Sequence, residues 1–145
     1  MVLSRQNLPT AAGGDSVKEG ATKGAYILQD CEGTPDAILM ATGSEVAICV
    51  EAAAKLAAAG KKVRVVSMPC WELFDDQSAD YRESVLPAAV TNRVACEAGI
   101  EMGWGKYLGS EGKFVGMDSF GASGPFEELY EKFGITADKV ADAAS

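Results

Sequence analysis

Histidine is absent from the 145 residues of this chain. That removes the commonest general base near neutral pH and the commonest metal-ligating side chain. Ser-His-Asp and Cys-His nucleophile arrangements go with it. A chain so composed is poorly equipped to be a complete enzyme. The four cysteines, Cys31, Cys49, Cys70 and Cys96, include no C-x-x-C pair. Standard zinc spacings are therefore unmatched, and the thiols read as reduced residues of a cytosol-like compartment, not a disulfide framework. No apolar run approaches the roughly 20 residues of a membrane span, since Glu51 and Lys55 interrupt the longest one. No secretory or transit segment is visible. Positive charge is also scarce: 13 Lys and Arg against 21 Asp and Glu leave a net charge of −8. Nucleic acid is thus an unsuitable partner, because binding it needs clustered cations. Any phosphate site in so acidic a chain has to act locally.

What is present begins at the first residues. Met1-Val2-Leu3 reads as the end of a β-strand with nothing before it, which points to a piece of a longer polypeptide. Residues 10–24 are polar and glycine-bearing, and are expected to form a loop or connector. Short strands are expected over residues 25–29, 37–41, 62–68, 91–97 and 113–117, with the first two paired antiparallel across their brief connection. Between them, a helix runs from residue 45 towards Gly60, which stands where a C′ glycine belongs. Further helices follow over 78–85, 103–108 and from Pro125, and Thr136 caps the last. Strands alternating with helices, with apolar runs typical of buried strands, predict an α/β three-layer sandwich. Its sheet has about five strands, mostly parallel with one antiparallel.

Neither nucleotide signature is present. Only Gly43 follows the second strand, Gly103-Trp104-Gly105 lacks the third glycine of a dinucleotide fingerprint, and Gly105-Lys106 has neither the upstream glycine nor the following Ser/Thr of a P-loop. Thr42, Gly43 and Ser44 open a helix beyond the end of a strand. They read either as a tight βα turn or as an anion or regulatory site. Thr42 and Glu45 have capping-box spacing, and Ser44 is the other candidate cap. The carboxylate pairs Asp75-Asp76, Glu127-Glu128 and Glu97/Glu101 have no neighbouring cation in sequence and are expected on solvated faces or caps. Trp71, Phe74 and Trp104 are expected in a core or a domain interface. Phe120-Gly121-Ala122-Ser123-Gly124-Pro125 reads as turn chemistry. Arg5, just after the strand stub, is either a surface ion pair or a rigid fork of donors for a phosphate.

The ordered segments L-S-R-Q-N-L-P, K-G-A-Y, A-T-G-S-E-V, V-R-V-V-S-M-P, S-V-L-P, G-W-G-K-Y and F-G-A-S-G span essentially the whole chain. In that order they resemble the C-terminal (third) domain of transketolase. W-E-L-F-D-D-Q-S and S-V-L-P-A-A-V-T resemble its plant and algal plastid or cyanobacterial members. The resemblance implies residues 1–24 as a strand stub and connector from the preceding domain, and residues 25–145 as the C-terminal domain. It also implies an enzyme that transfers a two-carbon ketol unit between sugar phosphates, using thiamine diphosphate and a divalent metal (Mg or Ca). The N-terminal and middle domains, outside this chain, would bind both, in a homodimer of the cytoplasm or plastid stroma. Within this chain the resemblance assigns no catalytic residue and one substrate-binding residue, Arg5, gripping the sugar phosphate. The isolated domain is expected to be inactive and to bind no cofactor. The equivalent domain of dihydroxyacetone synthase, and a non-catalytic regulatory ligand-binding module, are the alternatives.

Overall fold

Two short runs, AILMA and VRVVS, are buried at every position and lie side by side within one sheet. Around them the computed structural model describes residues 4, 6–10 and 14–145. In chain order its elements are α1 (Asp15–Thr22), β1 (Tyr26–Gln29), β2 (Ala37–Ala41), α2 (Glu45–Ala58), β3 (Val63–Ser67), α3 (Trp71–Asp75), α4 (Ala79–Val85), β4 (Arg93–Cys96), α5 (Gly105–Leu108), β5 (Lys113–Val115), α6 (Phe126–Phe133) and α7 (Ala137–Ala143). The expected strand over residues 1–3 and Arg5 lie outside the described residues.

The sheet has five strands in the order β1-β3-β2-β4-β5. β2 pairs in parallel with β3 and β4, and β4 with β5, whereas β1 runs antiparallel to β3. Side chains of a strand alternate between faces, so each buried strand feeds two cores. Leu39, Val65, Val94 and Cys96 point to the layer of α2 and α7. Ile38, Met40, Val66 and Ala95 point to the layer holding Phe74, Val85 and Trp104. The predicted three-layer α/β architecture, with one antiparallel strand, is the one observed.

Three expectations are corrected. Residues 10–24 are not all connector, because α1 forms within them. Its sequence DSVKEGAT has few apolar residues, and its order comes from docking, with Gly20 pressed against the ring of Tyr26. β1 does not pair with β2. β3 lies between them, and the 30–36 connection passes one strand, a gap of roughly 10 Å that a few extended residues can span. Asp36 holds that passage to the start of β3, its N–H donating to the Lys62 carbonyl at 2.8 Å and its carboxylate accepting from the Lys62 N–H at 2.9 Å. Finally, a short helix, α3, follows β3 where none was expected.

The end of α2 matches its prediction: Gly60 N–H donates to the Ala57 carbonyl and Lys61 N–H to the Leu56 carbonyl, the two bonds of a Schellman cap. Ser78 and Thr136 cap α4 and α7 through their hydroxyls, each accepting from the N–H three residues on.

Candidate functional site

Parallel strands all present their carboxyl ends to one edge of the sheet, and loops at that edge are where α/β folds hold ligands. Here the edge comprises the 42–44 turn after β2, the loop after β4 beginning at Glu97, and the loop after β5 leading to α6. The last two are joined by the Met117 N–H donating to the Gly99 carbonyl at 2.8 Å.

Neither capping device expected at the start of α2 forms. Ser44 occupies the cap position in helical conformation and its hydroxyl accepts no backbone N–H. It donates instead to Glu45 Oε1 at 2.7 Å. The same carboxylate oxygen accepts a short hydrogen bond from the hydroxyl of Tyr130, on α6, which also lies 3.2 Å from Ser44 Oγ. Glu45 is 3% exposed. A carboxylate so enclosed needs donors, and Ser44, Tyr130 and the partial positive charge of the helix start provide them. Burial, then the bond to Glu45, pushes the Tyr130 hydroxyl up to about 12.

Glu97, at the end of β4, is half-buried near this group. Burial first, and the charge of Glu45 second, push its carboxyl up to about 7. The sequence pairing of Glu97 with Glu101 is thus superseded, since Glu45 is the carboxylate it senses and Glu101 is exposed. Beneath the edge, Cys49 and Cys96 are buried together, with Cys49 Sγ 3.8 Å from the Met40 carbonyl. Their mutual hydrogen bond, then burial, raises the Cys49 thiol well above its usual value. That environment makes an unreactive thiol, not a nucleophile.

The N-terminal segment crosses the same edge. Leu8 and Pro9, with Tyr26, Leu28, Gly43 and Val46, line a largely apolar groove of about 660 Å³ beside α2. Gly43 and Ser44 of the 42–44 turn line this groove, and Ser44 donates to Glu45. An anion arriving there would meet the Glu45 and Glu97 carboxylates, so the anion-site reading gains no geometric support.

Elsewhere, the expectation that no cation brackets the acidic pairs is corrected at Asp75. Lys106 Nζ lies 2.5 Å from its carboxylate and the Tyr107 hydroxyl donates to it at 3.1 Å. Chiefly through Lys106, the carboxyl is held below its ordinary value. Glu127 and Glu128 are exposed in the first turn of α6, as expected. Phe74 and Trp104 are buried, and Trp71 packs edge-on to Trp104 with centroids 4.9 Å apart. Phe120, in the irregular 120–124 stretch, is 98% exposed. Among the described residues no group of three or more His, Cys, Asp or Glu is placed to hold a metal ion, and no helix is long and apolar enough to cross a membrane.

Glu45, Tyr130 and Glu97 were not legible as one group. The single available signal was a glutamate directly after a strand and turn, and it reads equally as a cap.

Comparison with known proteins follows the same lines. The family model described as "Transketolase-like TK C-terminal domain" matches residues 24–136. The chloroplastic transketolase of Solanum tuberosum is 54% identical over 99% of this chain and 19% of its own length. The transketolase of a Nostoc species is 56% identical over 97% of the chain and 21% of its own length. The chain thus spans about a fifth of the curated relatives it matches. A crystal structure of Pichia stipitis transketolase in complex with sedoheptulose-7-phosphate superposes with a TM-score of 0.86 at 40% identity, over 97% of this chain and 20% of that one. The chain belongs to the transketolase C-terminal domain family.

Proposed function

We propose that this chain serves as the third, C-terminal domain of a transketolase, the enzyme that moves a two-carbon ketol unit between sugar phosphates, and that alone it has no such activity. The observation that carries the proposal is the near-complete coverage of the chain, at over 50% identity, by transketolases about five times its length. On this reading residues 1–24 lead in from the preceding domain and residues 25–145 form the domain proper. The N-terminal and middle domains of the same polypeptide are its partners, within a homodimer. The chloroplastic and cyanobacterial relatives favour plastid stroma or cytoplasm.

Thiamine diphosphate and its divalent metal belong, on the same reading, to the other domains. Two observations support this: the carboxylates of Glu45 and Glu97 at the sheet edge disfavour a diphosphate there, and among the described residues no group of three or more His, Cys, Asp or Glu is placed to hold the metal.

The contribution of this chain is Arg5. Its guanidinium would grip the phosphate of the sugar in a charge-assisted pair. Held at its far end, the sugar is oriented at its reacting end, so remote binding energy becomes positioning. Within residues 42–44, Ser44 instead donates to the Glu45 carboxylate at the start of α2. The test is donor kinetics of the full-length enzyme carrying Arg5→Ala. Selectivity for a phosphorylated over an unphosphorylated ketose, as a ratio of kcat/KM values, is expected to fall about 10- to 150-fold, the equivalent of about 1.5–3 kcal/mol. Equal small effects on both donors would overturn the role of Arg5.

A further inference from the structure

Large apolar side chains in contact with solvent are unevenly placed on this domain. Ile100 and Met102, in the loop after β4, are 55% and 78% exposed, and Phe120 and Phe126, after β5, are 98% and 39% exposed. The two loops are neighbours, joined by the Met117 N–H on the Gly99 carbonyl. At the opposite edge, segments 30–36, 59–62, 86–92 and 109–112 lead into the parallel strands, and among the described residues they expose no large apolar side chain. One exposed apolar residue is ordinary, but several at one end of a sheet mark a contact surface.

The same end is incompletely paired and covered. Residues 118–124 form no regular element, and among the described residues no backbone hydrogen bond involves them. Such main-chain groups need water or a neighbour. α6, which follows, carries Phe126, Leu129, Tyr130 and Phe133 at the spacing of one helix face, yet buries none of them fully.

Charge says what kind of neighbour fits. From Glu97 to Gly105 and from Gly116 to Glu131 there is no Lys or Arg, while Glu101, Asp118, Glu127 and Glu128 are exposed. Two copies meeting face to face here would set carboxylate against carboxylate, which disfavours a second copy. The complementary surface is apolar with a basic rim. Position narrows the choice further. Leu8 and Pro9 share a groove with Gly43, Ser44 and Ser67, so the lead-in lies beside the carboxyl ends of β2 and β3. A domain joined through that lead-in is held at this edge at high effective concentration.

We propose that the 97–103 and 117–126 loops form the face on which the preceding domain of the same polypeptide docks, through a surface of apolar and basic side chains, with Phe120 as the anchor. This rests on the reading of the chain as the third domain of a longer enzyme. Phe120 has the most to gain from such a contact, since an aromatic ring taken out of water dominates interface energetics.

The experiment is hydrogen exchange read by mass spectrometry, on the full-length enzyme and on this chain alone, with ketol-transfer activity recorded for the enzyme. On an open face, the amides of 118–124 exchange at close to the rate of an unstructured chain. That rate serves as the reference even if this chain folds poorly alone. In the full-length enzyme these amides are expected to exchange about 10- to 150-fold slower, the range that burial of one phenylalanine side chain supplies. Segment 109–112, at the opposite edge, should exchange alike in both proteins. Phe120→Ser should remove most of the protection of 118–124 in the full-length enzyme, and should leave the unfolding midpoint of this chain alone where it was. An active enzyme that exchanges 118–124 at the unstructured rate overturns the docking face and leaves the domain reading standing. Protection that Phe120→Ser does not reduce overturns the anchoring role. Protection that is lost on dilution to the single subunit puts a second copy on the face and overturns the proposal. A full-length protein without ketol-transfer activity overturns the domain reading, and the proposal with it.

Discussion

Tyr130 donates to the carboxylate of Glu45 across 85 positions of sequence, tying α6 to the first turn of α2. The bond joins a helix with no fully buried residue to the longest helix of the domain. Removing the hydroxyl leaves a carboxylate at 3% exposure with one donor fewer. Tyr130→Phe is therefore expected to destabilise the chain by about 1.5–3 kcal/mol, the range for hydrogen bonds to charged groups. Urea unfolding of the two proteins measures it. The combination with Glu45→Gln should lose much less than the sum of the single changes, because the charge that needs the hydroxyl is gone.

Glu97 sets a pH dependence of defined sign. Its carboxyl titrates at about 7 in the fold, against about 4.5 ordinarily. Between those values the folded chain holds a proton that the unfolded chain has released. Stability contributed by this group therefore falls as pH rises from about 4.5 to 7, and its penalty is complete above 7. Solvent reaches half of the side chain, so the slope stays below the full-proton limit of about 1.4 kcal/mol per pH unit. Glu97→Gln has no such proton to lose. The stability difference between Glu97→Gln and the native chain should grow in favour of the variant across this window and be flat above it. A constant difference from pH 4.5 to 8 would count against the burial of this carboxyl.

What the amino-acid order reveals here depends on the distance over which each feature acts. β2, β3 and β4 are legible because a strand covered on both faces must be apolar at nearly every position, which is a local property of AILMA or RVAC. Gly60 is legible because a helix stop is also local. By contrast α1 has the composition of a loop, and its partner Tyr26 only comes to it through the fold. The pairing of β1 was misjudged because the length of a connection does not say whether another strand will enter between its ends. The acidic edge is the extreme case. Glu45 meets Tyr130 and Glu97 only once α2, α6 and β4 have been assembled on one sheet.

Gly24 and Gly43 separate two costs that substitution of glycine usually mixes. Both have positive φ, 84° and 58°. A Cβ on Gly43 would meet nothing within 4 Å, whereas one on Gly24 would overlap main-chain atoms of Cys70, just before α3, and of Leu73 and Phe74 in α3. Gly43→Ala should therefore show the left-handed backbone strain alone, about 1–2 kcal/mol. Gly24→Ala adds a collision with backbone that cannot rotate away, and should exceed Gly43→Ala by at least the roughly 1–3 kcal/mol of an overpacked core. Midpoints of urea unfolding for the two variants compare them directly. Near-equal losses would mean that α3 shifts freely, against its N–H bond from Cys70 to the Gly24 carbonyl at 3.0 Å.

Arg64 and Lys18 each form an ion pair of ordinary length, at 2.9 Å to Asp30 and 3.0 Å to Asp15. Distance would rank them equal, and their surroundings do not. The Arg64 side chain is 11% exposed, while Lys18 and Asp15 are 81% and 96% exposed. Arg64 also engages Asp30 with two nitrogens and donates from the third to the Ser84 and Val85 carbonyls at the end of α4, at 2.7 and 3.1 Å. Removing it strands two carbonyls as well as a carboxylate, though the half-exposed Asp30 can recover water. Arg64→Met should therefore lose about 2–4 kcal/mol, near or below the low end for a broken buried pair. Arg64→Lys should recover little of this, because an ammonium cannot match a two-pronged carboxylate contact while also reaching both carbonyls. Lys18→Ala should leave the unfolding midpoint where it was. Raising the salt from 0.05 to about 0.5 M sharpens the contrast, since screening acts on charges in water and much less on enclosed ones. The gap between Arg64→Met and the native chain should survive that change nearly intact. A gap that closes with salt would show that Arg64 is held by surface attraction, and not by its enclosed set of partners.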